Sequence, residues 1–202
     1  MTFPANLVEG FFLITSDNLI FEVKGTIHPP DRVIAYVRYV PKCAGSTSYQ
    51  KLYDLSERES YLKSKFPNYL WYSGVHGRIL QSVSYDRIKK IFNPVEKISQ
   101  MKKNFVSLSD IGQTTIMLTN RLLEFTGISE TSIGVTGSQL VDLASKKSDI
   151  DIVIYGEDVC RSFYDQLVNS YNLIPGIKEY SSSLLDKHLK FRWRNLINHK
   201  KI

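Results

Sequence analysis

The sequence contains little cysteine and no long apolar segment. Its two cysteines, Cys43 and Cys160, exclude a disulfide-rich scaffold and a zinc site with four cysteine ligands. No apolar run approaches the ~20 residues that a membrane-spanning helix needs, so we expect no membrane partner. The first residues also lack the basic and apolar stretches of a secretory signal. Together these absences predict a reducing, cytoplasmic environment.

The composition is that of a globular protein. Of the 202 residues, 43% are hydrophobic and 12% aromatic, which suffices for a packed core in one large domain or two small ones. Neither an internal repeat nor a low-complexity segment interrupts the chain. The polar stretch 101–104 is the best candidate for a boundary, so we predict two domains, residues 1–104 and 105–202.

Positive charge is concentrated at the end of the chain. Six of the 26 basic residues lie between residues 187 and 202, where no Asp or Glu occurs, so the other 20 basic residues balance the 20 acidic ones. A local basic patch suits phosphate groups or a nucleic acid such as RNA. A solvated helix end explains the same pattern equally well. The candidate phosphate or nucleic-acid contacts are Lys187, Lys190, Arg192 and Arg194.

The first half of the sequence is dominated by β-type patterns. Two apolar runs flank the turn-forming Ser16-Asp17-Asn18, which predicts a β-hairpin, and a β-branched and aromatic run follows it. Ser56 and Glu59 have the spacing of a helix capping box. The predicted elements are a hairpin at 11–23, a strand at 33–40, and helices at 56–66, 84–92 and 95–103.

The second half alternates between helical and strand-like patterns. Gly127 follows an apolar stripe of helical spacing and predicts the end of a helix. The predicted elements are helices at 109–126, 157–171 and 180–198 and strands at 132–136 and 149–155. We therefore predict an α+β protein, in which a β-rich N-terminal region with accessory helices precedes a small mixed-sheet domain.

A pair of acids occurs in the second predicted strand. Side chains alternate between the faces of a strand, so Asp149 and Asp151 are expected on one face, with Ile150, Ile152 and Ile154 directed into a core. Two like charges at such positions repel each other. A hard divalent cation such as Mg²⁺ would compensate for this repulsion, because it binds one or two carboxylates together with substrate phosphates. Alternatively, both acids cap the exposed end of the strand.

The turn before this strand strengthens the prediction of a site for phosphoryl or nucleotidyl transfer. Thr136-Gly137-Ser138 lies between a short strand and the start of a helix. Glycine permits close backbone approach, and the first amides of a helix attract anions. The Ser138 hydroxyl would add a hydrogen bond to a phosphate oxygen. A phosphate-binding turn beside a cation site is the arrangement that phosphoryl or nucleotidyl transfer requires.

The segment 134–156, with its glycine-serine turn, short helix and acid pair, resembles the nucleotidyltransferase domain of the DNA polymerase β superfamily. More narrowly, the chain is similar to archaeal predicted nucleotidyltransferases, which pair this domain with an N-terminal segment resembling residues 28–41.

The resemblance implies a role for each motif residue. Gly137 and Ser138, with Thr136 beside them, would hold the triphosphate of a nucleoside triphosphate. Asp149 and Asp151 would bind two Mg²⁺ (or Mn²⁺) ions and be the catalytic pair. The nucleotidyl group would pass to an acceptor hydroxyl, on RNA or on another molecule.

The sequence departs from the superfamily pattern at one position. Such enzymes use a third carboxylate on a later strand, whereas the residues after Tyr155 have helical patterns. Three alternatives remain open. The protein is an enzyme whose third acid comes from elsewhere, a nucleotide- or RNA-binding module without turnover, or a subunit completed by another chain.

Overall fold

The structure, a computed structural model, describes residues 7–43 and 45–197, and at residues 191, 192 and 194–197 it describes the backbone alone. The strands are β1 (Phe12–Thr15), β2 (Ile20–Val23), β3 (Arg32–Pro41), β4 (Tyr49–Lys51), β5 (Leu70–Ser73), β6 (Arg78–Ser84), β7 (Ile88–Phe92), β8 (Ile133–Thr136) and β9 (Asp151–Ile154). The helices are α1 (Leu55–Lys65), α2 (Pro94–Lys103), α3 (Asp110–Thr126), α4 (Gly137–Leu140), α5 (Glu157–Ser170) and α6 (Ser182–Ile197). Strands dominate the first half and helices the second, which confirms the predicted α+β class.

Seven antiparallel strands form one sheet, in the order β5-β6-β3-β2-β1-β7, with β4 also paired to β3. β1 and β2 are the two strands of the predicted hairpin, and Phe12 lies opposite Glu22 in their register. β3 is the predicted third strand and pairs with β2. The hairpin at 11–23 and the strand at 33–40 are therefore confirmed.

Both faces of this sheet are covered. Because side chains alternate along each strand, one set of apolar residues packs against α1 through the fully buried Leu62. The opposite set, which includes Phe12 and Tyr39, packs against Leu140 and Val141 at the end of α4. The residues that follow the glycine-serine turn thus cover the second face of the N-terminal sheet.

β8 and β9 form a second, smaller sheet. Among the described residues it has two strands, and they are antiparallel, whereas the sequence predicts a mixed sheet. After β9 the described chain contains α5, a short 3-10 turn and α6, but no further strand that would make the sheet mixed. Ile152 and Ile154 face the core that includes α3 and α5, as predicted, whereas Ile150 lies before the observed strand and is not among the residues of that core.

Contacts between α2 and β8 cross the predicted domain boundary at residue 104. A methyl group on Gly134 would lie 2.6 Å from Cβ of Pro94, so the first turn of α2 rests directly on β8. The division into residues 1–104 and 105–202 stays a prediction. None of the described helices combines the length and the apolar character that crossing a membrane would require.

The predicted helix at 84–92 is wrong. Tyr85–Arg87 form a single 3-10 turn, and the following residues form β7, which pairs with β1. A bulge in this pairing leaves Lys89 without an opposite residue in β1. Because the bulge inserts one residue, Ile88 and Ile91 both reach the same core although they are three positions apart. That spacing imitates the period of a helix.

Two further differences concern the same half of the chain. The sequence prediction does not include β5 and β6, which extend the sheet on the far side of β3. α1 is present, but it begins at Leu55, and its capping position is Asp54, whose side chain makes no capping hydrogen bond. The predicted capping role of Ser56 is therefore wrong, although the helix itself is confirmed.

The close packing of α2 on β8 makes Gly134 sensitive to enlargement. Gly134→Ala places a methyl group 2.6 Å from Cβ and 2.8 Å from the carbonyl carbon of Pro94, so we expect it to lower the free energy of unfolding by about 1–3 kcal/mol. Gly74→Ala is the matched control, because no heavy atom lies within 4 Å of its added methyl group. Urea unfolding measures both. Equal stability of the two variants would contradict the described packing.

Candidate functional site

The glycine-serine turn links β8 to α4 and is anchored to the N-terminal region. Thr136 ends β8, and its hydroxyl donates a hydrogen bond of 2.6 Å to the carbonyl oxygen of Gly10. Gly137 follows with a φ of +67°, in the left-handed region that favours glycine. The Thr136 hydroxyl therefore has a structural partner that the sequence does not predict, and the turn is held against the residues before β1.

The structure brings the predicted turn and one predicted acid into contact. Asp151 lies directly opposite Thr136 in the pairing of β8 with β9. A methyl group on Gly137 would overlap Oδ2 of Asp151 and would lie 3.1 Å from its Cγ. A side chain at residue 137 would therefore displace this carboxylate from its observed position. Glycine leaves that position free and also suits the backbone conformation.

Asp149 lies just before β9 and is exposed. The observed strand begins at Asp151, so it is shorter than the predicted strand at 149–155. Asp149 lies outside this strand, and the alternation of side chains between the two faces of a strand does not apply to it. The two carboxylates still influence each other. Burial raises the pKa of the half-buried Asp151, and the charge of Asp149 raises it further. Two acids thus share one electrostatic environment.

Asp151 faces the N-terminal sheet. Alternation along β9 sends Val153 and Tyr155 to the same side as Asp151, and both of them approach Gly10. The Tyr155 hydroxyl donates a hydrogen bond of 3.1 Å to the carbonyl oxygen of Glu9. Asp151 therefore lies on the side of β9 that faces the N-terminal region, and the space between this side of β9 and the second face of the large sheet is called the cleft.

Three charged residues of the large sheet complete this cleft, and sequence reasoning missed them. After burial and Asp149, the pKa of Asp151 is lowered by Lys51, raised by Glu22 and lowered by Arg38. Glu22 makes an ion pair of 2.6 Å with Lys24, and its other oxygen lies 3.9 Å from Nε of Arg38. For Glu22 and Arg38, an isolated charge inside an otherwise apolar strand is the signal that would have identified them; Lys51, at the end of the short polar strand β4, has no such signal.

Asp149 and Asp151 are the carboxylates near the turn that could hold a metal ion, because Glu22 is paired with Lys24. Within the described residues, no group of three or more His, Cys, Asp or Glu side chains is close enough together to hold one. The pair Asp149 and Asp151 fits Mg²⁺ or Mn²⁺, because Mg²⁺ binds through one or two carboxylates plus waters and phosphates. Their mutual repulsion, and the space that Gly137 leaves beside Asp151, are consistent with such an ion.

The other predicted binding residues differ in accessibility. Ser138 is only 8% exposed, and its carbonyl oxygen accepts a hydrogen bond of 2.9 Å from the amide of Leu143. On α6, Lys187 and Lys190 are exposed. The side chains of Arg192 and Arg194 lie outside the described part of the structure. The basic residues of α6 therefore stay predicted contacts.

Comparison with known proteins gives one archaeal relative. An uncharacterized protein of Methanocaldococcus jannaschii is 27% identical to this chain over 173 residues. The match covers 79% of this chain and 51% of the relative, so the chain spans about half the length of the curated relative that it matches. No protein family model and no solved structure matches the chain.

The space beside the Asp151 carboxylate can be tested by substitution. Gly137→Ala adds a methyl group that displaces this carboxylate, whereas Gly127→Ala, at a φ of +65°, meets no heavy atom within 4 Å. Both variants have the left-handed strain of about 1–2 kcal/mol. We expect similar losses of stability in urea unfolding, because the Asp151 carboxylate can rotate away from the methyl group, and a loss of Mn²⁺ binding in calorimetry for Gly137→Ala alone. Unchanged Mn²⁺ binding by Gly137→Ala would contradict a cation site at this position of the carboxylate.

The raised pKa of Asp151 predicts a pH-dependent effect on stability. The folded protein binds this proton more tightly than the unfolded chain, so the ionised carboxylate lowers the free energy of unfolding at neutral pH. We expect Asp151→Asn to stabilise the protein at pH 7 in the presence of a chelator, and the gain to shrink as the pH falls through the raised pKa.

Urea unfolding at several pH values measures this gain. Asp165→Asn, which replaces an exposed acid on α5, is the control and should change the free energy of unfolding by less than about 0.5 kcal/mol throughout. A loss of stability in Asp151→Asn at neutral pH would show that the carboxylate is not held at an electrostatic cost.

Proposed function

We propose that the chain binds a nucleoside triphosphate with Mg²⁺ or Mn²⁺ and transfers its nucleotidyl group to an acceptor hydroxyl. The contact between Gly137 and the Asp151 carboxylate is the observation that carries this proposal. It joins a turn suited to phosphate with an acid suited to a cation, and Asp149 adds a second charge to the same environment. Phosphoryl-type transfer needs a phosphate and a cation held side by side.

Each residue of the site has a role in the proposed reaction. Asp149 and Asp151 would hold the cation, and Gly137 would let the phosphates approach the backbone. When bound, the cation would lower the pKa of the acceptor hydroxyl and neutralise the leaving pyrophosphate. The half-burial of Asp151 supports this role, because charges act more strongly where water is partly excluded.

The proposal also includes an acceptor for the nucleotidyl group and a cellular location for the protein. The exposed Lys187 and Lys190 on α6 are suited to an RNA backbone, which makes RNA the acceptor to test first. A cytoplasmic location, expected from the few cysteines, goes with a nucleotide substrate. The relationship to nucleotidyltransferases of the DNA polymerase β superfamily is proposed on the residues of segment 134–156.

A second candidate function follows from the acids of the cleft. Among the described residues, carboxylates do not gather in a group of three that could hold a metal ion. Glu22 of the large sheet, whose charge acts on Asp151, is already bound to Lys24. This arrangement favours a module that binds nucleotide or RNA without releasing pyrophosphate. The two candidates share the binding step and differ in turnover.

One experiment separates them. The purified chain is incubated with Mn²⁺ or Mg²⁺, α-labelled nucleoside triphosphates and RNA, and both pyrophosphate release and label transfer are measured. We expect Asp149→Asn and Asp151→Asn each to reduce transfer on the order of 100-fold or more, because the cation loses a ligand. Asp165→Asn, on the exposed side of α5, should not change it.

The outcomes are distinct. Transfer that persists in both acid variants contradicts the proposal. Nucleotide binding by the wild-type chain without pyrophosphate release supports the second candidate instead.

A further inference from the structure

Lys51 is the last residue of β4, whose first residue, Tyr49, packs in the cluster that contains Leu140 and Val141. In the register of β3 with β4, Lys51 is paired with Tyr39. Tyr39 is only 5% exposed and packs against Leu140 and Val141, the residues that follow the turn. Tyr49, two residues before Lys51 and hence on the same face, joins the same cluster. β4 therefore directs Lys51 toward the cleft that contains the turn.

The acids face the same cleft from its other wall. Alternation along β9 turns Asp151 toward the large sheet. The pKa of Tyr39 is raised to about 12, mainly by burial and in smaller part by the charges of Glu22 and Asp151. Tyr39 is thus within electrostatic reach of Asp151 and is the cross-strand neighbour of Lys51. The lysine and the acid lie on opposite sides of one cleft.

Lys51 makes no ion pair with any of the described residues. In the part of the chain that the structure describes, no carboxylate lies within 4 Å of its Nζ atom, which sits 5.0 Å from the centre of the Tyr53 ring. Burial lowers the pKa of Lys51 and the charge of Arg38 lowers it further, whereas the charges of Asp149 and Asp151 offset part of this decrease. The neighbouring Arg38, by contrast, already approaches Glu22. Lys51 is therefore a partly desolvated cation available to an anion.

A buried arginine fixes the backbone beside Lys51. Arg58 of α1 is 4% exposed, and it donates hydrogen bonds of 3.1 Å to the carbonyl oxygens of Leu52 and Tyr53. Burial lowers the pKa of Arg58 to about 10, which shows that its charge is held at a cost. The two residues after Lys51 are therefore held in place, so its side chain starts from a defined backbone position.

We propose that Lys51 binds the β- and γ-phosphates of the nucleotide, which lie between β4 and the acid pair. This inference rests on the proposed function and names the part of the substrate that the N-terminal sheet recognises. A triphosphate brings more negative charge than one divalent cation neutralises, and the acid pair adds to the excess. An ammonium group on the opposite wall offsets part of it and makes the site selective for polyphosphate over monophosphate.

Calorimetric titration of the full chain with Mg²⁺ complexes of ATP, ADP and AMP tests the proposal. We expect Lys51→Met, which keeps the apolar stem, to weaken ATP binding about 10- to 100-fold and AMP binding far less, because charge-assisted hydrogen bonds to the outer phosphates are lost. Lys51→Arg should restore most of the affinity. Lys63→Met is the control, because Lys63 is exposed on α1, which packs on the other face of the sheet.

The outcomes separate this inference from the proposed function. If the wild-type chain binds none of the three nucleotides, both are overturned. If it binds ATP and Lys51→Met binds ATP equally well, only the assignment of Lys51 is wrong. Equal weakening of ATP and AMP also overturns the assignment, since it would show a general effect on the site. Lys51→Gln provides a second neutral variant if thermal unfolding shows that Lys51→Met does not fold.

Discussion

The contact between Gly137 and the Asp151 carboxylate is the constraint on which the rest of the site depends. Any side chain at residue 137 would occupy the position of this carboxylate. Strand pairing holds Asp151 opposite Thr136, and the Thr136 hydroxyl is bonded to the backbone of Gly10. Strand pairing therefore connects the turn to the acid, and a hydrogen bond from a side chain to the backbone connects the turn to the N-terminal region.

Alternation along β9 gives its two faces different tasks. Ile152 and Ile154 anchor the strand to the helices, whereas Asp151 faces the large sheet. A carboxylate in this position would be costly if the opposite wall were apolar. The sheet instead presents charges, one of which is Arg38, an extra residue at a bulge between β2 and β3. In the proposed function the N-terminal sheet is thus part of the site as well as its support.

The sequence was informative where structure depends on local pattern. The hairpin, β3, α2, α3, α5 and most of α6 follow from periodicity and turn residues, and the proximity of Gly137 to the acid pair follows from their short separation in the chain. The failures involve long-range pairing. The bulge at Lys89 gave the apolar residues of β7 the spacing of a helix. No local pattern in the sequence predicts that Lys51 lies near Asp151. These contacts arise from packing between segments about a hundred residues apart.

Paramagnetic broadening by Mn²⁺ tests the central claim most directly. In spectra of the ¹⁵N-labelled chain, substoichiometric Mn²⁺ should first broaden the amide signals of Gly137 and Asp151, then that of Lys51 across the cleft, and last that of Lys63 on the far side of the sheet. Broadening centred on other residues, or none at all, would contradict a cation site formed by the glycine turn and the acid pair.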